Sequence, residues 1–149
     1  MDAALVDLLL AIVHHALAFS LAALLAAELV LVRKGLEARS LPLLGRIDGA
    51  YGATAGLLIL VGIGRVIFGL KGWEFYVYNP VFWLKMAALA AVGMLSAAPT
   101  RRIIRWRGAV ADPVPDAEIA ALRVWLKAEV AFFALILVFA AAMARGFGY

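Results

Sequence analysis

The chain has 149 residues, of which 66% are hydrophobic and only 16% charged, against about 45–50% and 25% in soluble domains. A water-soluble fold could not hide that much apolar surface, and the absence of cysteine excludes disulfides, thiolate metal sites, iron–sulfur clusters and thiol nucleophiles. The net charge of +4 sits in the connections between apolar runs, a placement that favours topology and anionic lipid head groups over nucleic acid.

Four apolar runs, Leu5 to Val32, Ile47 to Leu70, Pro80 to Ala98 and Ala120 to Ala144, each approach or exceed the roughly 20 residues that cross a bilayer as helix. Backbone groups in hydrocarbon have no water partners, and ten-residue alternating strands are absent, so each run closes its own hydrogen bonds as a helix. The pattern predicts an all-α integral membrane protein, a single four-transmembrane-helix bundle whose first partner is the lipid bilayer. The first run is too long for the apolar region of a cleavable signal, and Asp2 precedes it rather than a basic cluster, so it is expected to stay as an anchor.

The first run ends at Arg33 and Lys34, and Gly35, Ser40 and Pro42 follow as turn formers. The second, RIDGAYGATAGLLILVGIGRVIFG, carries a GxxxG step at Gly52 and Gly56 that marks a packing face. The connection KGWEFYVYNP holds Trp73, Phe75, Tyr76 and Tyr78, rings that favour the head-group layer. Pro80 starts the third helix where a missing N–H costs nothing, and Pro99 is expected to stop it. A basic, proline-bearing stretch then leads to the fourth helix, which Asp116 is placed to cap.

Arg33, Lys34, Arg39 and Arg46 occupy the first connection, and Arg101, Arg102, Arg105, Arg107 and Arg123 occupy or adjoin the third. The second has only Lys71, offset by Glu74. By the positive-inside rule, connections one and three lie in the cytoplasm and both termini outside, as expected for a multi-pass protein of a bacterial inner membrane.

Ionisable groups within lipid cost about 2.5–3.5 kcal/mol each at the helix centre on insertion scales, and each is therefore a functional candidate. Depth sorts them into two layers. Towards the outside lie His14, His15, Arg65 and Lys85; towards the cytoplasm lie Glu28, Asp48, Lys127 and Glu129, where opposite charges are expected to pair. In the outer layer, two cations beside two imidazoles suit a bound anion. Haem b fits, with one histidine as axial metal ligand and Arg65 and Lys85 on its acidic groups. His14 and His15 point about 100° apart, so at most one faces a given iron, and no histidine outside the first helix completes a bis-histidine pair. The alternative has the histidines hydrogen-bonding across the bundle while Arg65 and Lys85 snorkel outwards.

Hydrolase elbows, HExxH zinc motifs and phosphate-binding loops are absent from the sequence, whereas a histidine relay through Tyr51 or Tyr76 stays open. The strings AIVHHALAFSLAALLAAELVLVR, RIDGAYG, FYVYNPVFWLKM and APTRRIIRWR resemble, over nearly the whole chain, a family of small bacterial four-helix membrane proteins known as a domain of unknown function. More distantly, the plan is similar to HemJ-type protoporphyrinogen oxidases and CopD-like membrane proteins. The HemJ-type resemblance implies haem b and functional roles for His14 or His15 and for Lys85; the doubled histidine, the glycine-rich second helix and the wording NPVFWLKM depart from it. The leading expectation is a haem b-binding redox protein, an oxidoreductase if an enzyme, with its pocket in the outer leaflet. The other is a noncatalytic scaffold or accessory subunit that uses the GxxxG face in a homo-oligomer or larger membrane complex.

Overall fold

The computed structural model describes residues 2–108 and 112–148. Helix α1, Ala3–Leu31, opens at Asp2, whose Oδ1 accepts the Ala4 amide at 3.3 Å and so satisfies one of the N–H groups a helix start leaves free. After α1 the chain turns at Gly35, whose φ of 74° favours a residue without a Cβ. A single 3-10 turn, Ala38–Ser40, then feeds α2, Leu41–Phe68. Pro42, expected to interrupt the chain, lies in the first turn of α2, where its missing N–H would be unpaired in any case.

The aromatic connection folds as a short helix, α3, Gly72–Val77, before α4, Pro80–Gly108, and α5, Asp116–Ala144. The protein is all-α: among the described residues no strand occurs, and four helices are long and apolar enough to cross a membrane. Residues 109–111 of the second basic connection lie outside the described residues.

Pro99 does not end the third span. Helix α4 runs through it for a further nine residues, although an interior proline costs a helix about 3 kcal/mol. Tertiary contacts offset that cost. Beyond Pro99, Ile103 and Trp106 are buried, the Trp106 indole N–H donates to Glu118 Oε2 at 2.6 Å, and Arg105 donates to the same oxygen at 2.7 Å.

Helices α1 and α2 form one closely packed pair and α4 and α5 another, while α2 against α4 and α1 against α5 close the ring. The two basic connections meet at one end, the basic end. There the Val114 amide donates to the Leu36 carbonyl and the Ala38 amide to Asp112 Oδ1, both at 3.0 Å. Arg123 does more than mark topology. Its guanidinium donates to the carbonyls of Leu29, at 2.9 Å, and Val32, which pairs acceptors left over at the end of α1. Asp116 lies in the first turn of α5, with Pro115 in the capping position.

Burial is uneven along the bundle. Val32, Leu36, Leu41, Leu44, Ile103, Trp106, Val114, Ile119, Leu122 and Leu126 make a water-protein type of core at the basic end. Along the rest of the helices large apolar side chains point outwards, Phe19, Leu60 and Met94 being 75%, 65% and 72% exposed. Such a surface is costly in water and costs nothing in lipid. A 29-residue helix is about 43 Å long at 1.5 Å per residue, more than the roughly 30 Å of hydrocarbon. The excess length suits the basic end, where the compact core and the arginines are found.

Candidate functional site

The first site grows from the register of α1 on α2. Glycines on α2 let α1 approach: a Cβ built at Gly62 would sit 3.4 Å from His14 Cε1, and one at Gly64 would sit 3.6 Å from a Leu10 methyl. Asp7 lies against Gly69 in the same register. Asp7, Leu10 and His14 are three and four residues apart, so they share one stripe of α1.

That stripe holds the half-buried His14 imidazole beside α2, where it is an electrostatic neighbour of Arg65 and of Lys85 on α4. Lys85 also neighbours Arg65, and its Nζ lies 5.6 Å from the centre of the Phe82 ring. Three of the four residues expected in the outer layer thus converge from three helices. His15 faces elsewhere. Its ring stands at 86° to that of His14, is exposed, and its Nδ1–H donates to the Ala11 carbonyl at 2.6 Å.

Among the described residues, two interior atoms of this site have no hydrogen-bond partner, His14 Nδ1 and Arg65 Nε. Asp7 was not foreseen as part of it. Its spacing of seven residues from His14 was the available signal, but its position near the chain start concealed which helix it meets.

A second polar layer lies nearer the basic end, and its make-up differs from the pairing expected. Glu28 of α1, Asp48 of α2 and Glu129 of α5 are 1%, 9% and 1% exposed and are electrostatic neighbours. Lys127 is exposed and has no part in them: two residues from Glu129 along a helix is about 200° of rotation, which turns it away. Thr100 of α4 donates its hydroxyl to Asp48 Oδ1 at 2.8 Å. Tyr51, one turn along α2 from Asp48, is buried and points at the Glu129 carboxyl without closing a hydrogen bond. Tyr51 therefore belongs to the acid layer and not beside His14, while Tyr76 packs edge-on against Phe75 and Phe82 near the start of α4.

Among the described residues the GxxxG face stays open. Gly49, Gly52 and Gly56 are exposed, and a Cβ on any of them meets nothing within 4 Å. The α2 glycines that receive α1 are Gly62 and Gly64 instead. Among the described residues no group of three histidine, aspartate or glutamate side chains is gathered closely enough to hold a metal ion.

No curated protein and no solved structure gives a significant match to this chain. A family model does match, over residues 6–148, under the description "Predicted membrane protein (DUF2214)". That span takes in both polar layers and all four long helices but for the first three residues of α1, and the chain belongs to this family of membrane proteins.

Proposed function

We propose that the end of the bundle near α3 binds an amphipathic, anionic ring ligand of the haem b type, with His14 as the metal-facing imidazole and Arg65 and Lys85 on its acidic groups. The supporting observation is the convergence of these three side chains from α1, α2 and α4, with His14 Nδ1 and Arg65 Nε unpartnered in the interior. An imidazole beside two cations suits a ligand that carries both a metal and carboxylates, and a guanidinium with an unused N–H suits a carboxylate. Haem b, when bound, supplies one-electron redox chemistry at its iron. His14 would fix the metal, Arg65 and Lys85 would fix the orientation, and Leu10 and the α2 glycines would set how closely the two helices flank the ligand. With the basic end in the cytoplasm, this site belongs to the outer leaflet of a bacterial inner membrane.

The test is the absorption spectrum of detergent-purified protein expressed with haem supply. A Soret band is expected in the parent and in His15→Ala, and its loss in His14→Ala. A parent without the band, or a band lost in His15→Ala and kept in His14→Ala, overturns the proposal.

A noncatalytic scaffold or accessory subunit is the second reading, supported by the open glycine face of α2. Small residues let transmembrane helices pack closely, so Gly52→Leu with Gly56→Leu should reduce a detergent-stable oligomer to monomer by light scattering. A parent that is already monomeric removes it.

A further inference from the structure

The acid layer carries a second site, on different residues and nearer the opposite end of the bundle. Three carboxyl groups, Glu28, Asp48 and Glu129, reach the interior from α1, α2 and α5. Thr100 of α4 completes the layer through its bond to Asp48. Cations that could neutralise these acids are turned elsewhere. Lys127, Arg46 and Arg101 are exposed, Arg123 is engaged with the carbonyls of Leu29 and Val32, and Arg102 donates to the Glu118 carbonyl at 3.4 Å.

Three ionised carboxylates here would be three buried negative charges without a counter-ion. Each would forfeit hydration worth several kcal/mol in the bundle interior. Like charges about 6 Å apart would also repel by about 3 kcal/mol at an effective dielectric of 20. Adding a proton removes both costs and creates an O–H donor. The layer holds more acceptors than donors, six carboxyl oxygens against the hydroxyls of Thr100 and Tyr51, and among the described residues Glu28 Oε1, Glu129 Oε1 and the Tyr51 hydroxyl, all buried, have no hydrogen-bond partner. Tyr51, only 4% exposed, directs its hydroxyl into the group. A shared metal ion is disfavoured, since these acids are not gathered closely enough to ligate one.

We propose that Glu28, Asp48, Tyr51 and Glu129 form a proton-binding site in the bundle, with Glu28 and Glu129 carrying exchangeable protons at neutral pH. Val32, Leu122 and Leu126, each without solvent exposure, line the bundle between this layer and the basic end. Asp48 keeps the Thr100 hydroxyl as its donor and has less need of a proton. The ligand is H⁺ itself, and the site marks the protein for proton-coupled work, as ionisable side chains inside membrane bundles commonly do.

The test is infrared spectroscopy of the full-length protein in a maltoside detergent, which contributes no ester carbonyl. A protonated-carboxyl carbonyl band is expected at neutral pH, shifting in D₂O and fading reversibly as pH is raised. Glu28→Gln and Glu129→Gln should each remove part of the band and fold at least as stably as the parent, because a neutral amide replaces a neutral acid. Glu74→Gln, at an exposed position, should leave the band intact. The parent alone suffices to overturn the proposal, by showing no such band at neutral pH, one that never responds to pH, or one abolished by sodium chloride at constant pH. A band unchanged in both buried variants overturns it equally.

Discussion

Replacing Trp106 with alanine is expected to lower the folding free energy by about 3–5 kcal/mol, the usual loss for a large aromatic removed from a core. Trp106 is 5% exposed and packs with Ile103, Ile119 and Leu122 in the core of the basic end. Its indole N–H also shares Glu118 Oε2 with Arg105, so truncation opens a cavity and weakens the tie between α4 and α5. The same contacts keep α4 helical beyond Pro99, and the stretch from Thr100 to Gly108 should fray with them. Denaturant titration in mixed micelles measures the loss. Trp106→Phe, which keeps the ring and lacks the N–H, should fall between parent and alanine; an alanine variant within about 1 kcal/mol of the parent would mean that this end is not the bundle's main core.

Gly62→Leu is expected to abolish the Soret band of the proposed ligand complex while the protein still inserts and folds. The position has room for a Cβ, at 3.4 Å from His14 Cε1, and for little more. Alanine should therefore keep the band, whereas the outer carbons of leucine need the volume that the imidazole occupies. Overpacking of this kind costs about 1–3 kcal/mol, which the side chain relieves most readily by pushing His14 out of the interior. Spectra of the two variants beside His14→Ala make the check. A leucine variant with an undiminished band would place the ligand away from the α1–α2 contact.

How much of this could be read from the residues follows from what a linear pattern encodes. Hydrophobic length reveals depth, so the four spans, the grouping of Arg33 to Arg46 with Arg101 to Arg123, and the shared level of His14, Arg65 and Lys85 were all legible. Rotation about the helix axis is encoded only where a stripe repeats. Lys127 and Glu129 share a depth but face opposite ways, and the expected charge pairing gave way to a layer of acids. Tyr51 stands three residues after Asp48, a spacing that already put both on one face of α2.

Contacts between distant parts of the chain were not legible at all. Arg123 caps α1 across more than ninety residues, and nothing local to either segment announces it. Pro99 was read by its local rule, and the rule was outweighed by packing of the residues that follow it. The glycines of α2 illustrate the same limit: GxxxG at Gly52 and Gly56 is the stronger motif, yet it is Gly62 and Gly64 that meet α1, because the register of the two helices and not the motif decides which face is used.

The most direct measurement is side-specific labelling, for which a chain without cysteine is well suited. Single cysteines at Arg39, Glu74 and Asp112 are treated with a membrane-impermeant maleimide in sealed vesicles of known orientation. Arg39→Cys and Asp112→Cys should react from one face of the membrane and Glu74→Cys only from the other. Labelling of all three from the same face would contradict a bundle that crosses the bilayer four times with its basic connections together.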